Sequence, residues 1–265
     1  MKTIRFGLIV LLALFLVQCA SVPITGRKQL ILMPESEMVQ MSLTSYSDFL
    51  KANKLSTDVV NTRRVKEVGQ RIAAAVDAYL KAQGMESLID GYKWEFNLVK
   101  SPEINAWCMP GGKVVVYEGI LPVCKNDDGL AVVMGHEIAH AIARHGNERM
   151  SQQILIQAGS TAAAYALKNK PEETQALLGA AIGLGANYGM ILPFSRKHEL
   201  EADRLGLIFM TMAGYNPEEA VPFWTRMASA SSGQKVPEFM STHPSDVHRI
   251  EQIKALLPEV LKYKK

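Results

Sequence analysis

His136-Glu137-Ile138-Ala139-His140 decides how this chain reads. The five residues lie inside an apolar run, residues 130–144, whose pattern predicts a helix. On a helix, positions i and i+4 share a face, so both imidazoles can reach one metal ion. Glu137 falls about 100° round from His136, beside the metal rather than on it. A general base for a zinc-bound water belongs there. The same five residues would also suit a plain helix with two hydrogen-bonded histidines, so the rest of a site has to be sought elsewhere in the chain.

A catalytic zinc takes three protein ligands and leaves a fourth position for water. His145 lies five residues after His140, about 140° round the helix, and should point elsewhere. The longer pattern H-E-x-x-H-x-x-G-x-x-H is absent, because Ala143 and Gly146 stand at its glycine and third-histidine positions. The better source is Glu199-Leu200-Glu201-Ala202-Asp203-Arg204-Leu205-Gly206, which opens a second apolar helix expected to run to Met212. Glu199 and Asp203 are again i and i+4, so both carboxylates can face one cleft. Glu201 falls about 200° from Glu199 and should face away. An acidic helix start near the positive end of the macrodipole is the ordinary alternative for these residues.

H-E-x-x-H followed by E-x-E-A-D-R-x-G resembles metallopeptidase family 48. This is the gluzincin family of the CAAX prenyl endopeptidases, HtpX and several periplasmic lipoprotein proteases. Asn105-Ala106-Trp107 with Pro110-Gly111-Gly112 is similar to its N-A-x-x-x-P-G-G hairpin, and residues 114–119 to the strand and turn that follow. Thr242-His243-Pro244 with Arg249-Ile250 is similar to its H-P-x-x-x-x-R-I tail motif.

The resemblance implies a fold and a set of roles. The fold is α+β: a mostly helical zincin-like metalloprotease domain with a small sheet whose edge strand lines the zinc cleft. One zinc per chain would be held by His136, His140 and Glu199. Glu137 would act as general base and then carry the proton to the leaving amine. Asp203 would orient a histidine, or donate a proton. His243 would sit over the cleft, stabilising the oxyanion or closing the site as a fourth ligand; taken alone it also reads as a loop histidine before proline. In related gluzincins an edge strand pairs with the substrate backbone. That gives Asn105, Ala106 and Trp107 a substrate-binding role through main-chain hydrogen bonds. The implied activity is zinc-dependent hydrolysis of peptide bonds in misfolded cell-envelope proteins, with polypeptides as partners. A non-catalytic or latched zinc lipoprotein, acting as an assembly factor or chaperone, is the alternative. Glu137 speaks against the non-catalytic form, since a purely structural zinc needs no base.

The N-terminus reads as a targeting segment. Lys2 and Arg5 precede an apolar run, residues 6–17, of signal-peptide length and short for a membrane span. Leu16-Val17-Gln18-Cys19 resembles a lipobox, with Gln18 in place of the usual small residue. On that basis residues 1–18 form a signal peptide of lipoprotein type, and Cys19 is lipidated. Residues 19–34 form a linker, and residues 35–265 a single zinc metallopeptidase domain. Ala20, rather than an aspartate, after the cysteine implies an outer-membrane lipid anchor on the periplasmic face of a bacterial cell envelope. A plain signal peptide would instead leave a soluble periplasmic enzyme. Without residues 1–18 the chain has 27 basic against 26 acidic residues, and this near balance argues against a nucleic-acid partner, which requires a basic face. Cys108 and Cys124 could form a disulfide in an oxidising compartment, or remain two buried thiols.

Periodicity supplies the scaffold. Residues 35–53 read as a helix. Thr57 or Asp58 should cap a longer one, ending near Gln83, with Val60, Val65, Val68, Ile72 and Val76 as its apolar stripe. Residues 92–100 alternate like a strand, and residues 104–109 and 113–117 make two more. Asp127 or Asp128 should cap the metal helix. Residues 154–167 and 174–192, rich in Ala and Gly, read as a tightly packed helical hairpin rather than a span or a dimer contact. Residues 217–228 and 247–262 read as closing helices. No tetratricopeptide extension follows, so no chaperone-like platform is expected.

Overall fold

The computed structural model describes residues 19–186, 192–230, 237–243 and 248–264. The signal-peptide reading of residues 1–18 falls outside them. The chain divides into two compact units. One joins the residues up to 35 with residues 144–196, and the other joins residues 36–143 with residues 197–265.

The first unit holds a short antiparallel hairpin and two helices. Strand β1 (Cys19–Ser21) pairs with β2 (Lys28–Leu30). The tight return between them is closed by Val22 and Arg27 main-chain bonding, with Gly26 at φ +66°. The hairpin is fastened by polar contacts. Arg27 donates from Nη1 and Nη2 to the two carboxylate oxygens of Glu148, at 3.0 and 2.7 Å. The Leu32 amide donates to Ser151 Oγ at 2.9 Å, and Asn147 Nδ2 to the Met33 carbonyl at 3.0 Å.

The second unit is built around a buried strand. Helix α1 (Glu35–Ala52) leads into α2 (Val59–Ala82). Asp58 caps α2 by accepting from the Asn61 amide at 3.0 Å, and Val65, Val68, Ile72 and Val76 form its buried stripe. Val60, expected in that stripe, is 75 % exposed because it lies in the first turn, short of the sheet. Strands β3 (Glu95–Val99), β4 (Ala106–Met109) and β5 (Lys113–Tyr117) form one sheet in the order β3-β5-β4. β3 runs parallel to β5 and β4 antiparallel to it, so β5 is central and buried throughout while β4 is an edge. Gly111 and Gly112, at φ +89° and +79°, make the β4–β5 turn, where a side chain would be strained.

After β5 come α3 (Leu121–Cys124), α4 (Asp127–Ile142), α5 (His145–Leu167), α6 (Glu172–Ala186) and α7 (Leu192–Met212). Helices α8 (Ala220–Ala230), α9 (Glu238–Thr242) and α10 (Arg249–Val260) follow. Mostly helical with small sheets, the chain has the α+β make-up expected of it. Helix α4 is buried almost all round, against β4 on one side and α2 and α8 on others. Its N-cap is Asn126, whose Oδ1 accepts from the Gly129 amide at 2.8 Å, rather than Asp127 or Asp128, which fall inside its first turn. The helix stops at Ile142, since Arg144 turns left-handed at φ +56°. Helices α5 and α6 pack on each other in the manner of the expected hairpin, of which residues 187–191 lie outside the described residues, but Tyr165 and Leu177 are 71 and 72 % exposed. Among the described residues no helix is long and apolar enough to cross a membrane.

Candidate metal centre

Two glycines set where the site forms. A Cβ on Gly135 of α4 would lie 2.7 Å from the Gly206 carbonyl oxygen of α7, and a Cβ on Gly206 would lie 2.7 Å from the His136 amide. Neither distance can hold a methyl group, so the two helices touch backbone to backbone only because both residues are glycine. That crossing puts His136 and His140 of α4 opposite Glu199 and Asp203 of α7.

His136, His140, Glu199 and His243 converge, with one donor atom from each inside a cluster 4.8 Å across. His136 Nε2 lies 3.0 Å from His140 Nε2 and 3.4 Å from Glu199 Oε2, while His140 Nε2 lies 3.5 Å from Glu199 Oε1. A tetrahedral zinc with ligands at 2.0–2.1 Å has donor–donor edges of about 3.3 Å. Two imidazole nitrogens and a carboxylate, spaced in this way in a buried pocket, fit such an ion. His136 and Glu199 are 2 and 4 % exposed.

The fourth member, His243, follows α9. Its Nδ1 is 3.2 Å from both Glu199 oxygens and 3.3 Å from His136 Nε2. Its Nε2 is 3.3 Å from Glu137 Oε1, within ion-pair range though without hydrogen-bond geometry. The ring stacks on Phe239 at 4.7 Å between centroids. His243 is thus part of the cluster, not a solvated loop residue. Pro244, after it, lies outside the described residues.

Asp203 stands one layer behind. Its Oδ1 faces His136 Nδ1 at 3.0 Å, which turns the other ring nitrogen, Nε2, toward the cluster. Glu201 is buried, 7 % exposed, though the spacing turned it away from Glu199; it is not among the clustered donors. Nor is His145, which starts a new helix after the left-handed Arg144 rather than continuing α4.

Burial and charge pull the site's pKa values apart. Burial lowers that of His136, but the hydrogen bonds and charges of Asp203 and Glu199 outweigh it and push the value up to about 9. Burial raises Glu199, yet its contacts with His136 and His243 hold the carboxyl well below the usual range. Asp203 is likewise raised by burial and then lowered further by the Arg249 charge and His136. Glu137 is different: burial dominates, and the positive charges of His243 and His136 only partly offset it, so its pKa stays raised. A carboxylate with raised proton affinity is what a general base needs.

The three residues of the expected substrate strand divide by face. Asn105 Oδ1 accepts from the Ala106 amide at 2.9 Å and shapes the strand start. Trp107 points into the cluster of Tyr46, Val99, Val115 and Tyr117, with its indole N–H donating to Tyr117 Oη at 3.2 Å. Its side chain is therefore a core group. Cys108 points the other way: burial first and the Glu137 charge second push its thiol well above the usual range. Cys108 and Cys124 are free thiols, not a pair: one lies in β4 and the other ends α3. Cys19 enters the structure as the first residue of β1, its backbone opposite Leu30. Sequence reasoning gave no role to Arg249, Trp224 or the Gly135–Gly206 contact; the glycine of E-A-D-R-x-G and the arginine of the tail motif were the available signals.

Comparison with known proteins agrees with this geometry. The profile of Peptidase family M48 matches residues 60–257. The "Mitochondrial metalloendopeptidase OMA1" of Schizosaccharomyces pombe is 40 % identical over 190 residues, which is 71 % of this chain and 52 % of that protein. The "Metalloendopeptidase OMA1, mitochondrial" of Homo sapiens is 30 % identical over 245 residues, 91 % of this chain and 46 % of that protein. The "Beta-barrel assembly-enhancing protease" of Escherichia coli is 30 % identical over 162 residues, 59 % of this chain and 33 % of that protein. The chain spans about half the length, or less, of these curated relatives. They correct the expected location. The relatives matched over the larger share of this chain are named as mitochondrial, so the placement on the periplasmic face of a bacterial outer membrane does not stand. The lipoprotein, periplasm and outer-membrane readings have no support from them. Zinc is the metal of this family's metallopeptidases, and the clustered donors suit it. With the profile matched across most of its length, the chain belongs to peptidase family M48.

Proposed function

We propose that this chain is a zinc endopeptidase whose metal is held by His136, His140 and Glu199, with Glu137 as the base. One observation carries the proposal: two imidazoles and a carboxylate meet at tetrahedral spacing, with a buried carboxylate, Glu137, one residue along from His136. Zinc held by these residues would supply Lewis-acid chemistry toward a carbonyl and a water. Glu137 would take a proton from the attacking water and pass it to the departing amine, so no covalent bond to the enzyme would be required. Asp203 accepts from His136 Nδ1–H and fixes the ring that offers Nε2. The outer edge of β4 has no strand partner among the described residues. The Asn105 carbonyl accepts from the Tyr117 amide at 3.1 Å and Trp107 alternates with it in register, so both turn their backbone groups to β5, and an extended substrate would add to the outer edge at Ala106 between them. Such binding reads main chain rather than side chains, and it suits unfolded or misfolded polypeptides as substrates.

A second reading comes from His243. Its contacts with both Glu199 oxygens and with Glu137 support a reading in which it acts as a fourth donor in the position that water would need. In that arrangement the enzyme is latched, and His243 must swing away before turnover. Casein cleavage by His243→Ala distinguishes the two. Higher activity than wild type supports the latch. Lower activity at unchanged zinc content supports a role in stabilising the oxyanion.

A further inference from the structure

Arg249 opens α10 and is 3 % exposed. Its Nε donates to Asp203 Oδ2 at 2.8 Å, and its Nη2 to Asp203 Oδ1 at 2.7 Å, a two-point fork on one carboxylate. The guanidinium face lies 3.5 Å from the centroid of the Trp224 ring. Nη1 is 3.6 Å from Glu199 Oε2 and makes no hydrogen bond among the described residues. Nη2 also comes within 3.5 Å of His136 Nδ1, so the cation borders the same Oδ1 that the ring faces.

We propose that Arg249 is a positioning residue of the metal centre. It clamps the Asp203 carboxylate against His136 and thereby keeps that carboxylate out of the metal's own ligand set. The proposal rests on the reading of His136, His140 and Glu199 as zinc ligands. Asp203 lies one helical turn after Glu199 on the same face, so a loose carboxylate there could turn toward the ion and fill the position that water needs. The fork prevents this by engaging both of its oxygens. Only a planar guanidinium can meet a carboxylate at two points while its face rests on an indole; a lysine supplies the charge at a single point. The cation also offsets the second of two buried carboxylates, Glu199 and Asp203, which would otherwise repel each other within one turn of α7. Trp224, on α8, holds the guanidinium plane in the orientation the fork requires.

The test uses the whole chain as wild type, Arg249→Lys and Arg249→Met, alone and combined with Asp203→Asn. Three readings are taken on each: the zinc dissociation constant by chelator competition, the visible spectrum after cobalt(II) loading, and the melting temperature. Arg249→Met and Arg249→Lys are expected to weaken zinc binding by about 10–100-fold, the range seen when a group that orients a metal ligand is lost, because losing the hold on His136 outweighs any gain from Asp203 turning to the ion; tighter binding would overturn this. The cobalt spectrum should change with them, because Asp203 is free to join or to release His136. Adding Arg249→Met to Asp203→Asn should weaken zinc further by less than Arg249→Met does alone, since the two act as one unit. Wild-type zinc affinity and an unchanged cobalt spectrum, with only a lowered melting temperature, would overturn the proposal and leave Arg249 a packing residue. If Arg249→Met does not fold, Arg249→Lys decides by the same readings. None of them measures peptide hydrolysis, so a wild type that binds zinc but cuts nothing would sink the proposed activity and leave this role standing. A wild type that binds neither metal would overturn both.

Discussion

Helix α4 and helix α6 are made of similar residues and end in opposite surroundings. Over Asp127–Ile142, nearly every residue of α4 from Gly129 onward is buried. Helix α6, richer still in Ala, Gly and Leu, has no buried residue among those described, and Leu178 beside Leu177 is 40 % exposed. Apolar composition gives a helix the capacity to be buried; partners on several sides supply the burial. Helix α4 has the sheet, α2 and α8 around it, whereas α6 has the face of α5. The consequence for function is electrostatic. Charges in the dry surroundings of α4 act on one another strongly, which is why His136, Glu137, Glu199 and Asp203 depart from ordinary pKa values.

Substitutions can break this contrast at α4 and leave it intact at α6. The largest effect is expected of His136→Ala: zinc content, measured by atomic emission after dialysis, should fall from near one per chain to background. Gly206→Ala comes next. Its methyl would meet the His136 amide of α4, and forcing the helices apart costs about 1–3 kcal/mol. That outweighs the gain of about 1 kcal/mol that Ala has over Gly inside a helix. Chemical denaturation should show a lowered midpoint, and zinc affinity should drop with it; a midpoint above wild type would refute the close crossing. Cys124 reports burial without perturbing it. An ordinary thiol of pKa about 8.5 is about one-quarter thiolate at pH 8. Burial pushes Cys124 up to about 12, so it stays protonated there and should resist iodoacetamide until denaturant is added. Peptide mapping by mass spectrometry reads this directly. The smallest effect belongs to α6: Leu177→Gln should change stability by no more than about 0.5 kcal/mol, as exposed positions do. A loss of several times that would show that the face is covered.

Local signals carried far in this sequence. The i, i+4 spacing brought His136 with His140, and Glu199 with Asp203, onto single faces, and the structure sets those faces against each other. Asp58 as a cap and residues 113–117 as a strand were legible for the same reason, since each depends on neighbours in the chain. Contacts between distant segments were not. Nothing periodic marks Gly135 against Gly206, or Arg249 on Trp224, because each pair is defined by a crossing of helices far apart in sequence. The start of α7 was read from its acids at Glu199, although the helix begins at Leu192. The Cys108–Cys124 pairing rested on an assumed oxidising compartment, and that assumption rested on residues 1–18 read as a signal peptide. The mitochondrial relatives remove that ground, and the two thiols lie free in different elements.

The central claim is that Glu137 is the base of a zinc peptidase. Casein cleavage by the whole chain, wild type against Glu137→Gln, tests it, with zinc measured on both samples. The account predicts equal zinc and a loss of cleavage of about 10²–10⁴-fold in the variant, the range a general base contributes. Equal cleavage by both proteins at equal zinc, or no cleavage by either the zinc-loaded wild type or the zinc-loaded His243→Ala variant, would contradict it.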